Sequence, residues 1–509
     1  MAQYKTPGVY VEEISKFPPS VAGVATAIPA FIGYTEEQPK NGDLNPVKVS
    51  SLLDYEKKFG ARQSYAKKNC VLYDSMRLFY DNGGGECYVV SVGKYDKAGT
   101  PDKEDYKKAI AALEKVDEVT LVLFPDAAKL FTANELGDIQ KKALEHCAKM
   151  GDRFAILDIC LTKESADNKN GKGKDANATQ DNANAAQKEN ANATQDEAAT
   201  SEELCDQFRN NIGTNNLSYG AAYYPYVITS YSKDISYDEV TEELKSLDKS
   251  LIKDTFFAKA KATEKYKNIF VANPSEEQEK AIDQAEKEIE ADRLFKINEI
   301  IAKSKEYQEK VAEMEAKMNI LPPSGAIAGI ICSTDRTKGV WQAPANVSLA
   351  GVKSLSEDLT DDDQAKMNVV SNGKSINAIR KFTGKGLLVW GARTLDGNSN
   401  EWKYIPVRRL FNYIEESVQK STSWAVFQPN DANTWVKIQC QIENFLTSLW
   451  RDGALAGSTP DKAFYVKVGL NETMTSDDIL NGNLIVEIGL AAVRPAEFIV
   501  LKFSHKVQE

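Results

Sequence analysis

Histidine and paired cysteines are scarce in this sequence of 509 residues. Only His146 and His505 are present, and the seven cysteines are scattered without a CxxC pair. Zinc sites and catalytic triads draw on these residue types, so their scarcity argues against a metal centre or a Ser–His–Asp hydrolase. An odd number of scattered cysteines also argues against a disulfide framework and favours reduced thiols in a cytoplasm.

Long apolar runs and an excess of positive charge are missing as well. No stretch of 18 apolar residues occurs, so no membrane span is expected, and the first residues lack the apolar run of a signal peptide. Lys and Arg number 63 against 74 Asp and Glu, a formal net charge of −11. Phosphate backbones repel such a chain. We therefore expect no nucleic-acid partner and no direct membrane insertion.

Residues 23–160 alternate between apolar segments and segments with helical spacing. The predicted elements are strands at 87–92, 119–124 and 153–160, and helices at 73–80, 104–116 and 134–149. Such alternation is typical of a parallel sheet covered by helices. The length alone predicts about three domains of roughly 100–200 residues each.

Two segments differ in composition from this pattern. Residues 163–200 contain no large apolar residue, and such a segment cannot bury enough surface to offset its ordering entropy, so we predict a disordered loop. Residues 238–320 are rich in Glu and Lys, with a stripe of apolar residues at three- and four-residue steps. This stripe predicts a long amphipathic helix that begins at the capping box of Ser275 and Gln278.

The C-terminal third contains five of the six tryptophans. Helices are predicted at 406–419 and 432–451, and strands at 463–468, 484–488 and 497–504. Residues 8–14 form another strand-like patch near the start, set off by Pro7 and by the proline pair that follows. Prolines stop both helices and ladders, so we expect the two terminal patches to be extended arms.

The motifs that point to an enzyme are weak. Gly83-Gly84-Gly85 follows a helix and precedes a strand, the reverse of a phosphate loop, and favours a tight turn. Gly373-Lys374-Ser375 lacks the first glycine of a P-loop, since Asn368 stands in its place. Neither motif predicts a nucleotide cofactor.

Four residues with reactive side chains have structural interpretations that we favour. Asp126 and Asp158 lie at the ends of predicted parallel strands, where catalytic carboxylates occur, but where helix caps and turns occur too. His146 and Cys147 are neighbours in a predicted helix, and adjacent helical side chains point apart. We predict no catalytic, cofactor or metal residues.

Several ordered sequence blocks resemble contractile tail sheath proteins. They are 6–13 (TPGVYVEE), 334–346 (TDRTKGVWQAPAN), 389–395 (VWGARTL), 402–410 (WKYIPVRRL), 424–430 (WAVFQPN), 445–455 (FLTSLWRDGAL) and 495–500 (PAEFIV). The resemblance covers both termini and nearly all of 324–509, and is weaker over 23–160 and 219–230. It implies a structural subunit, not an enzyme, that stacks as hexameric rings around an inner tube and contracts without ATP. It also implies baseplate and terminal cap proteins as partners.

The terminal strands are the predicted links between copies, because an unpaired strand must add to a sheet and can add to that of a neighbour. The predicted arm residues are Val9, Tyr10, Val11, Glu12, Phe498, Ile499, Val500 and Leu501. Arg408, Arg409 and Arg451 are basic candidates for a tube-facing surface, although each could satisfy an internal carboxylate instead.

The predicted fold class is α/β with α+β elaborations, in a multi-domain chain with β-arms at both ends. The divisions are a linking arm at 1–22, an α/β domain at 23–162 and 205–237, a disordered loop at 163–204, a charged helical insertion at 238–321, a C-terminal sheath domain at 322–492 and a linking arm at 493–509. An α/β hydrolase and a non-contractile filament remain alternatives. A phage tail, a released extracellular particle and a cell-anchored system assembled in the cytoplasm are all compatible with the sequence, and the acidic inserts mildly favour an injection system.

Overall fold

The computed structural model describes residues 21–39, 42, 44–61, 68–162, 199–233, 235–244, 247–271 and 274–500. Most of the predicted N-terminal arm, the greater part of the low-complexity loop and the last nine residues therefore lie outside the described residues. Within the described ranges the chain is a mixed α/β structure, which confirms the predicted fold class.

A nine-stranded sheet forms the centre of the molecule, in the order β2-β3-β1-β4-β5-β6-β11-β12-β9. Its strands are β1 Pro29–Thr35, β2 Val47–Val49, β3 Cys87–Lys94, β4 Leu121–Leu123, β5 Phe154–Asp158, β6 Gly220–Tyr224, β9 Val347–Ser348, β11 Ile376–Phe382 and β12 Gly386–Val389. The six strands from β3 to β11 in this order pair in parallel, as predicted. Antiparallel strands complete both edges, so the sheet is mixed.

The sheet crosses the predicted domain boundary at residue 322. Strand β11 pairs in parallel with β6, joining Ile376 to Ala222 and Ala378 to Tyr224. Parallel partners can be far apart in sequence, because any crossover between them is long. Residues on both sides of the boundary therefore share one sheet and one core.

Helices cover both faces of the sheet and enclose two large apolar cores. One face carries α1 Leu52–Phe59, α2 Leu72–Asp81 and α11 Ser324–Lys338; the other carries α3 Lys103–Ala112, α4 Ala127–Leu130, α5 Ala133–Met150, α6 Ser201–Asn211 and α12 Asp361–Asn368. Helix α6 begins at Ser201, inside the segment predicted as disordered up to 204. Its capping box, Thr200 with Glu203, explains the start.

Two glycines allow α11 to lie directly on α2. A Cβ atom on Gly325 would come within 2.5 Å of the Ser75 carbonyl oxygen, and one on Gly329 within 2.4 Å of the Phe79 carbonyl oxygen. The four-residue spacing places both glycines on one face of the helix. Larger residues would force the two helices apart and open the core between them.

The helical insertion consists of α7 Tyr237–Glu243, α8 Lys253–Lys261, α9 Glu276–Lys303 and α10 Lys305–Met318. It has small apolar clusters of its own, separate from the main cores. The capping box at Ser275 is present, but the predicted long helix breaks at Ser304, which is extended and whose hydroxyl accepts from the Tyr307 N–H. A three-stranded sheet at its base has the order β10-β7-β8 and consists of β7 Val227–Thr229, β8 Ile320–Leu321 and β10 Val352–Leu355.

The C-terminal subdomain follows the last strand of the central sheet and has a third core. It contains α13 Ile405–Ser421, α14 Ala432–Arg451, α15 Pro460–Ala463, β13 Phe464–Lys467, α16 Ser476–Leu480 and β14 Glu487–Leu490. Helices α13 and α14 match the two predicted from apolar spacing, with α13 two residues longer at its C-terminal end.

No helix among the described residues is long and apolar enough to cross a membrane. All seven cysteines lie in the described ranges and none forms a disulfide bond; six are buried and Cys440 is exposed. The Gly83-Gly84-Gly85 run forms the turn between α2 and β3, as predicted, and Gly83 has a φ of +92°.

Candidate assembly surfaces

Strands β13 and β14 form a two-stranded sheet at the surface of the C-terminal subdomain. They pair antiparallel from Phe464 opposite Leu490 to Lys467 opposite Glu487, and within the described residues neither strand pairs with a third. A two-stranded sheet has an unpaired row of N–H and C=O groups on each outer edge. Such a sheet is a template to which further strands can add.

The C-terminal tail beyond β14 is exposed and apolar. Phe498, Ile499 and Val500 are 70%, 78% and 77% exposed, and they pair with no strand among the described residues. Consecutive large apolar residues at a surface mark a site of interaction. The described part of the strand predicted at 497–504 is thus unpaired, and Leu501 lies outside the described residues.

The N-terminal segment, residues 21–28, lies along α13. The Ala22 N–H donates to the Ser421 hydroxyl and the Val24 N–H to the Ser417 hydroxyl, both at 3.2 Å. Val21 is buried in the C-terminal core. Val9, Tyr10, Val11 and Glu12 lie outside the described residues, so their role as arm residues stays a prediction.

The base of the C-terminal tail lies at the other end of α13. The Glu497 carboxylate accepts from the hydroxyl of Tyr404, the residue that precedes α13, at 3.1 Å. The N-terminal segment is held at Ser421, the last residue of the helix. Because α13 has 17 residues, the two arm bases are held about 25 Å apart.

Two of the three predicted tube-facing arginines are in the interior, which corrects that prediction for them. Arg408 is 5% exposed: its Nε donates to Asn412 Oδ1 at 2.7 Å, and its guanidinium lies 4.1 Å from the centre of the Trp402 ring. Arg409 is 3% exposed and binds an internal carboxylate, the alternative that the sequence left open. Arg451 is exposed at the end of α14, so its tube-facing role stays a prediction.

Arg409 connects α13 to α11 and to the N-terminal segment. Its Nη1 and Nη2 donate to the two carboxylate oxygens of Asp335 at 2.9 and 2.5 Å, and Nη2 also donates to the Thr26 carbonyl oxygen at 2.9 Å. Planar bidentate pairs of this kind fix direction as well as distance. Asn412 adds a further link by donating to the Arg153 carbonyl oxygen.

A loop between α13 and α14 exposes large apolar side chains. Val426 is 63% exposed and Phe427 fully so, and Phe427 has a φ of +63°, which is rare for an aromatic residue. The loop is tied to the α16–β14 loop by a hydrogen bond from Asn430 Nδ2 to the Asn483 carbonyl oxygen at 2.9 Å. Leu480, at the end of α16, is 84% exposed, so apolar groups flank this contact on both sides.

The candidate carboxylates Asp126 and Asp158 act as caps for other helices. Asp126 accepts from the Tyr34 N–H at 2.7 Å and from the Val71 N–H, at the start of α2, at 2.6 Å. Asp158 accepts from the N–H and hydroxyl of Ser324, the first residue of α11, at 3.0 and 2.5 Å. Both carboxylates are buried, and burial raises each pKa to about 7 although the hydrogen bonds lower it.

The His146–Cys147 pair has no nucleophile geometry. His146 Nε2 lies 2.9 Å from Arg153 Nη1, and burial, followed by the charge of Arg153, lowers the pKa of His146 to about 4. Burial raises the pKa of Cys147, which disfavours a thiolate. Both residues therefore belong to the packing of α5. His505 lies outside the described residues.

Within the described part of the chain, one group of carboxylates has the spacing of a metal site: Asp117, Asp152 and Glu416. Lys420 Nζ lies 2.7 Å from Asp117 and 2.6 Å from Glu416. The group is therefore an ion-pair network that joins α13 to the loop before β4.

The comparisons with known proteins agree with the resemblance seen in the sequence. Residues 398–506 match the family model of the phage tail sheath C-terminal domain. The tail sheath protein of Vibrio phage KVP40 is 24% identical over 184 residues, and that of Enterobacteria phage T4 is 22% identical over the same length. Each match covers 36% of this chain and only about a quarter of the phage protein, at 26% and 27%.

Solved structures of contractile injection systems match over the whole chain. The sheath of the extracellular contractile injection system PVC, in its contracted state, is 26% identical, with a TM-score of 0.60, and the match covers 100% of this chain and 99% of the other. The contracted helical sheath of the anti-feeding prophage is 27% identical, also with a TM-score of 0.60, over 99% of this chain and 100% of the other. The resemblance to contractile sheath proteins is thereby confirmed.

The Asp158 cap predicts a pH dependence of stability. The folded chain keeps the Asp158 proton up to about pH 7, whereas the unfolded chain loses it near pH 4. The contribution of Asp158 to the free energy of unfolding therefore falls between those two values as the pH rises. In Asp158→Asn this fall is missing, so the stability of the wild type relative to the variant should drop by roughly 2–4 kcal/mol from pH 4 to pH 7.5.

Urea unfolding of both proteins across this pH range measures the difference. Asp461→Asn, at an exposed position of the C-terminal subdomain, is the control and should change little. A difference between wild type and Asp158→Asn that is constant with pH would contradict the raised pKa.

From the Arg409–Asp335 pair we predict that removal of the arginine alone causes a large loss of stability, and that removal of both charges recovers most of it. Arg409→Met leaves a buried carboxylate that is 5% exposed without its partner and should cost about 3–5 kcal/mol. The double variant Arg409→Met with Asp335→Leu should recover most of this loss, because no unpaired charge remains. Urea unfolding checks both, with Asp361→Ala as control: its carboxylate is 94% exposed beside Arg380, so that variant should lose less than about 1 kcal/mol.

Proposed function

From the likeness of this chain to sheath subunits, we propose that it is the structural subunit of a contractile sheath. The observation that carries the proposal is the match over the whole chain to sheaths of contractile injection systems, at 26–27% identity and a TM-score of 0.60. The two phage tail sheath proteins match in sequence over 36% of the chain. An injection particle is the favoured parent assembly, because the likeness to injection-system sheaths extends over the whole chain.

Copies of the chain stack as hexameric rings around an inner tube, and a baseplate and a terminal cap bound the sheath. Support for the baseplate comes from a 27% identical chain in the baseplate structure of the anti-feeding prophage, with a TM-score of 0.59. The exposed Arg451 is the remaining candidate for contact with the tube.

The two arms link neighbouring copies by strand addition. The tail from Phe498 onward has exposed apolar side chains and no strand partner among the described residues. The β13–β14 sheet has two outer edges that can accept such a strand. Head-to-tail contacts of this kind do not close on themselves and so build tubes.

Contraction is then driven by the burial of apolar surface that the extended sheath leaves exposed. Burial of on the order of 1,000 Å² of apolar surface per subunit yields about 25 kcal/mol gross. Ordering and desolvation offset most of that gain. A few kcal/mol net for each subunit, summed over a long tube, is sufficient for mechanical work without ATP.

Electron microscopy of the protein purified with its tube protein tests the proposal. We expect striated tubes that occur in a long, narrow form and a short, wide form. Tubes of one fixed diameter would indicate a non-contractile filament, and monomers alone would contradict a sheath function. Assembly without added nucleotide would support an ATP-independent mechanism.

Removal of either arm should separate folding from assembly. A chain that lacks residues 1–14, or one that ends at Glu497, should keep the circular dichroism of the full chain, because all three main cores lie within 21–492. Neither truncated chain should form sheaths. A truncated chain that forms tubes of normal length would refute the arm assignment for that terminus.

The exposed loop at Phe427 is a candidate contact between copies and gives a separate test. Phe427→Asp should leave the monomer as stable as the wild type within about 1 kcal/mol, since Asp tolerates a positive φ better than Phe does. Sheath formation should be lost, because a charge would have to be buried in the contact. Phe295→Asp, which replaces a 65% exposed Phe of α9 on the helical insertion, is the control and should still assemble.

A further inference from the structure

Glu497 is the last well-held residue before the exposed tail. Its carboxylate accepts four hydrogen bonds from two side chains. Three come from Arg393: Nε donates to the two oxygens at 3.0 and 3.2 Å, and Nη2 donates to one of them at 2.6 Å. The fourth comes from Asn368 Nδ2, which donates to the other oxygen at 2.6 Å. Tyr404 adds its hydroxyl at 3.1 Å. We name Glu497, Arg393, Asn368 and Tyr404 the Glu497 clasp.

The side chains of the clasp are partly buried. The side chain of Arg393 is 6% exposed and that of Glu497 is 21% exposed. Burial alone would raise the pKa of Glu497, but the hydrogen bonds from Arg393 and Asn368 outweigh it and lower the pKa below its ordinary value. The carboxylate is therefore charged at neutral pH, and charge-assisted bonds of this kind are the stronger class.

Arg393 is itself fixed to the central sheet. Its N–H donates to Asn377 Oδ1, and Asn377 Nδ2 donates to its carbonyl oxygen, both at 2.8 Å. Asn377 lies in β11, and its Nδ2 also contacts the Ala222 carbonyl oxygen in β6 at 3.2 Å. A continuous set of polar contacts thus runs from the tail to two adjacent strands of the nine-stranded sheet.

Without the clasp, the backbone hydrogen bonds that hold the described part of the tail would all lie in the small C-terminal subdomain. The nearest backbone contact before Glu497 joins the Val493 N–H to the Ala454 carbonyl oxygen at 3.3 Å. Phe498, Ile499 and Val500 are exposed. A pull along the tail therefore acts first on Glu497 and passes through Arg393 into the sheet.

We propose that the Glu497 clasp anchors the C-terminal arm, so that the pull of a neighbouring copy passes into the central sheet and the arm leaves the subunit in a fixed direction. This inference rests on the proposed sheath function. Glu497 and Arg393 are positioning residues: they hold the base of the linking strand, while the strand itself makes the link. Tyr404 contributes one of the bonds and so has a smaller part.

The test compares Glu497→Gln with Glu472→Gln, a change of the same kind at an exposed position of the C-terminal subdomain. Glu497→Gln loses the charge but keeps the shape, so its monomer should unfold within a few degrees of the wild type. The fraction of subunits in intact sheaths should fall about tenfold, and contraction should break the sheaths, because each link loses its charge-assisted anchor. Glu472→Gln should behave as the wild type, and Tyr404→Phe should show a smaller loss.

Each contrary outcome has a distinct meaning. If the wild type forms sheaths and Glu497→Gln sheaths assemble and contract intact, the clasp proposal is wrong and the sheath function stands. If the wild type forms no sheaths, the proposed function fails and the clasp proposal fails with it. A fall of more than about 10 °C in the melting temperature of the Glu497→Gln monomer would show that the clasp holds the subunit itself together, and would overturn the positioning role.

Discussion

The attachment of α13 to the helix and loops that flank the central sheet is the constraint on which the assembly surfaces depend. Three polar contacts make it: the buried Arg409–Asp335 pair, the bond from Asn412 to the Arg153 carbonyl oxygen, and Arg408 between aromatic rings. A buried ion pair contributes little net stability but penalises any arrangement in which the partners separate. It therefore suits a helix that must keep one position. Because both arm bases lie at the ends of α13, the same contacts fix where the arms begin.

Much of the local structure could be predicted from the sequence, because local periodicity and capping determine it. The helix predicted at 134–149 is Ala133–Met150, and the strand predicted at 87–92 begins at Cys87. The prediction of one long helix in the insertion was wrong in one respect. The apolar stripe continues through Ser304, but the helical backbone is interrupted there. The Ser304 hydroxyl can cap the next helix, which offers the chain an alternative to one more helical turn. The spacing of apolar residues contains no information about such a cap.

The longer-range features could not be predicted in this way. Strand β11 pairs with β6 across more than 150 residues, and Glu497 meets Arg393 across 104 residues. The local sequence pattern around each of these residues does not indicate which distant segment it will contact. The basic residues were difficult for a related reason. Two adjacent arginines are typical of a surface patch, but Tyr219 packs against Arg408 and Asp335 pairs with Arg409, and both partners come from distant segments. Both Arg393 and Glu497 lay within sequence blocks that resemble sheath proteins, which was the one signal that pointed to them.

A sheath subunit must be rigid within itself and loosely joined to its neighbours, and the distribution of contacts in this chain meets both requirements. The bonds of α13 lead to α11, to the N-terminal segment and to the residue before β5. Those of Arg393 lead into the nine-stranded sheet, whose strands are buried between two helical layers. Beyond Glu497, by contrast, the described tail is exposed and pairs with no strand. Relative movement between copies can then be absorbed by the short exposed stretch between an anchor and a donated strand, since few internal contacts must break there. The helical insertion, with clusters of its own and its base on β7 and β8, lies outside this path and can vary without altering the spacing of the arms.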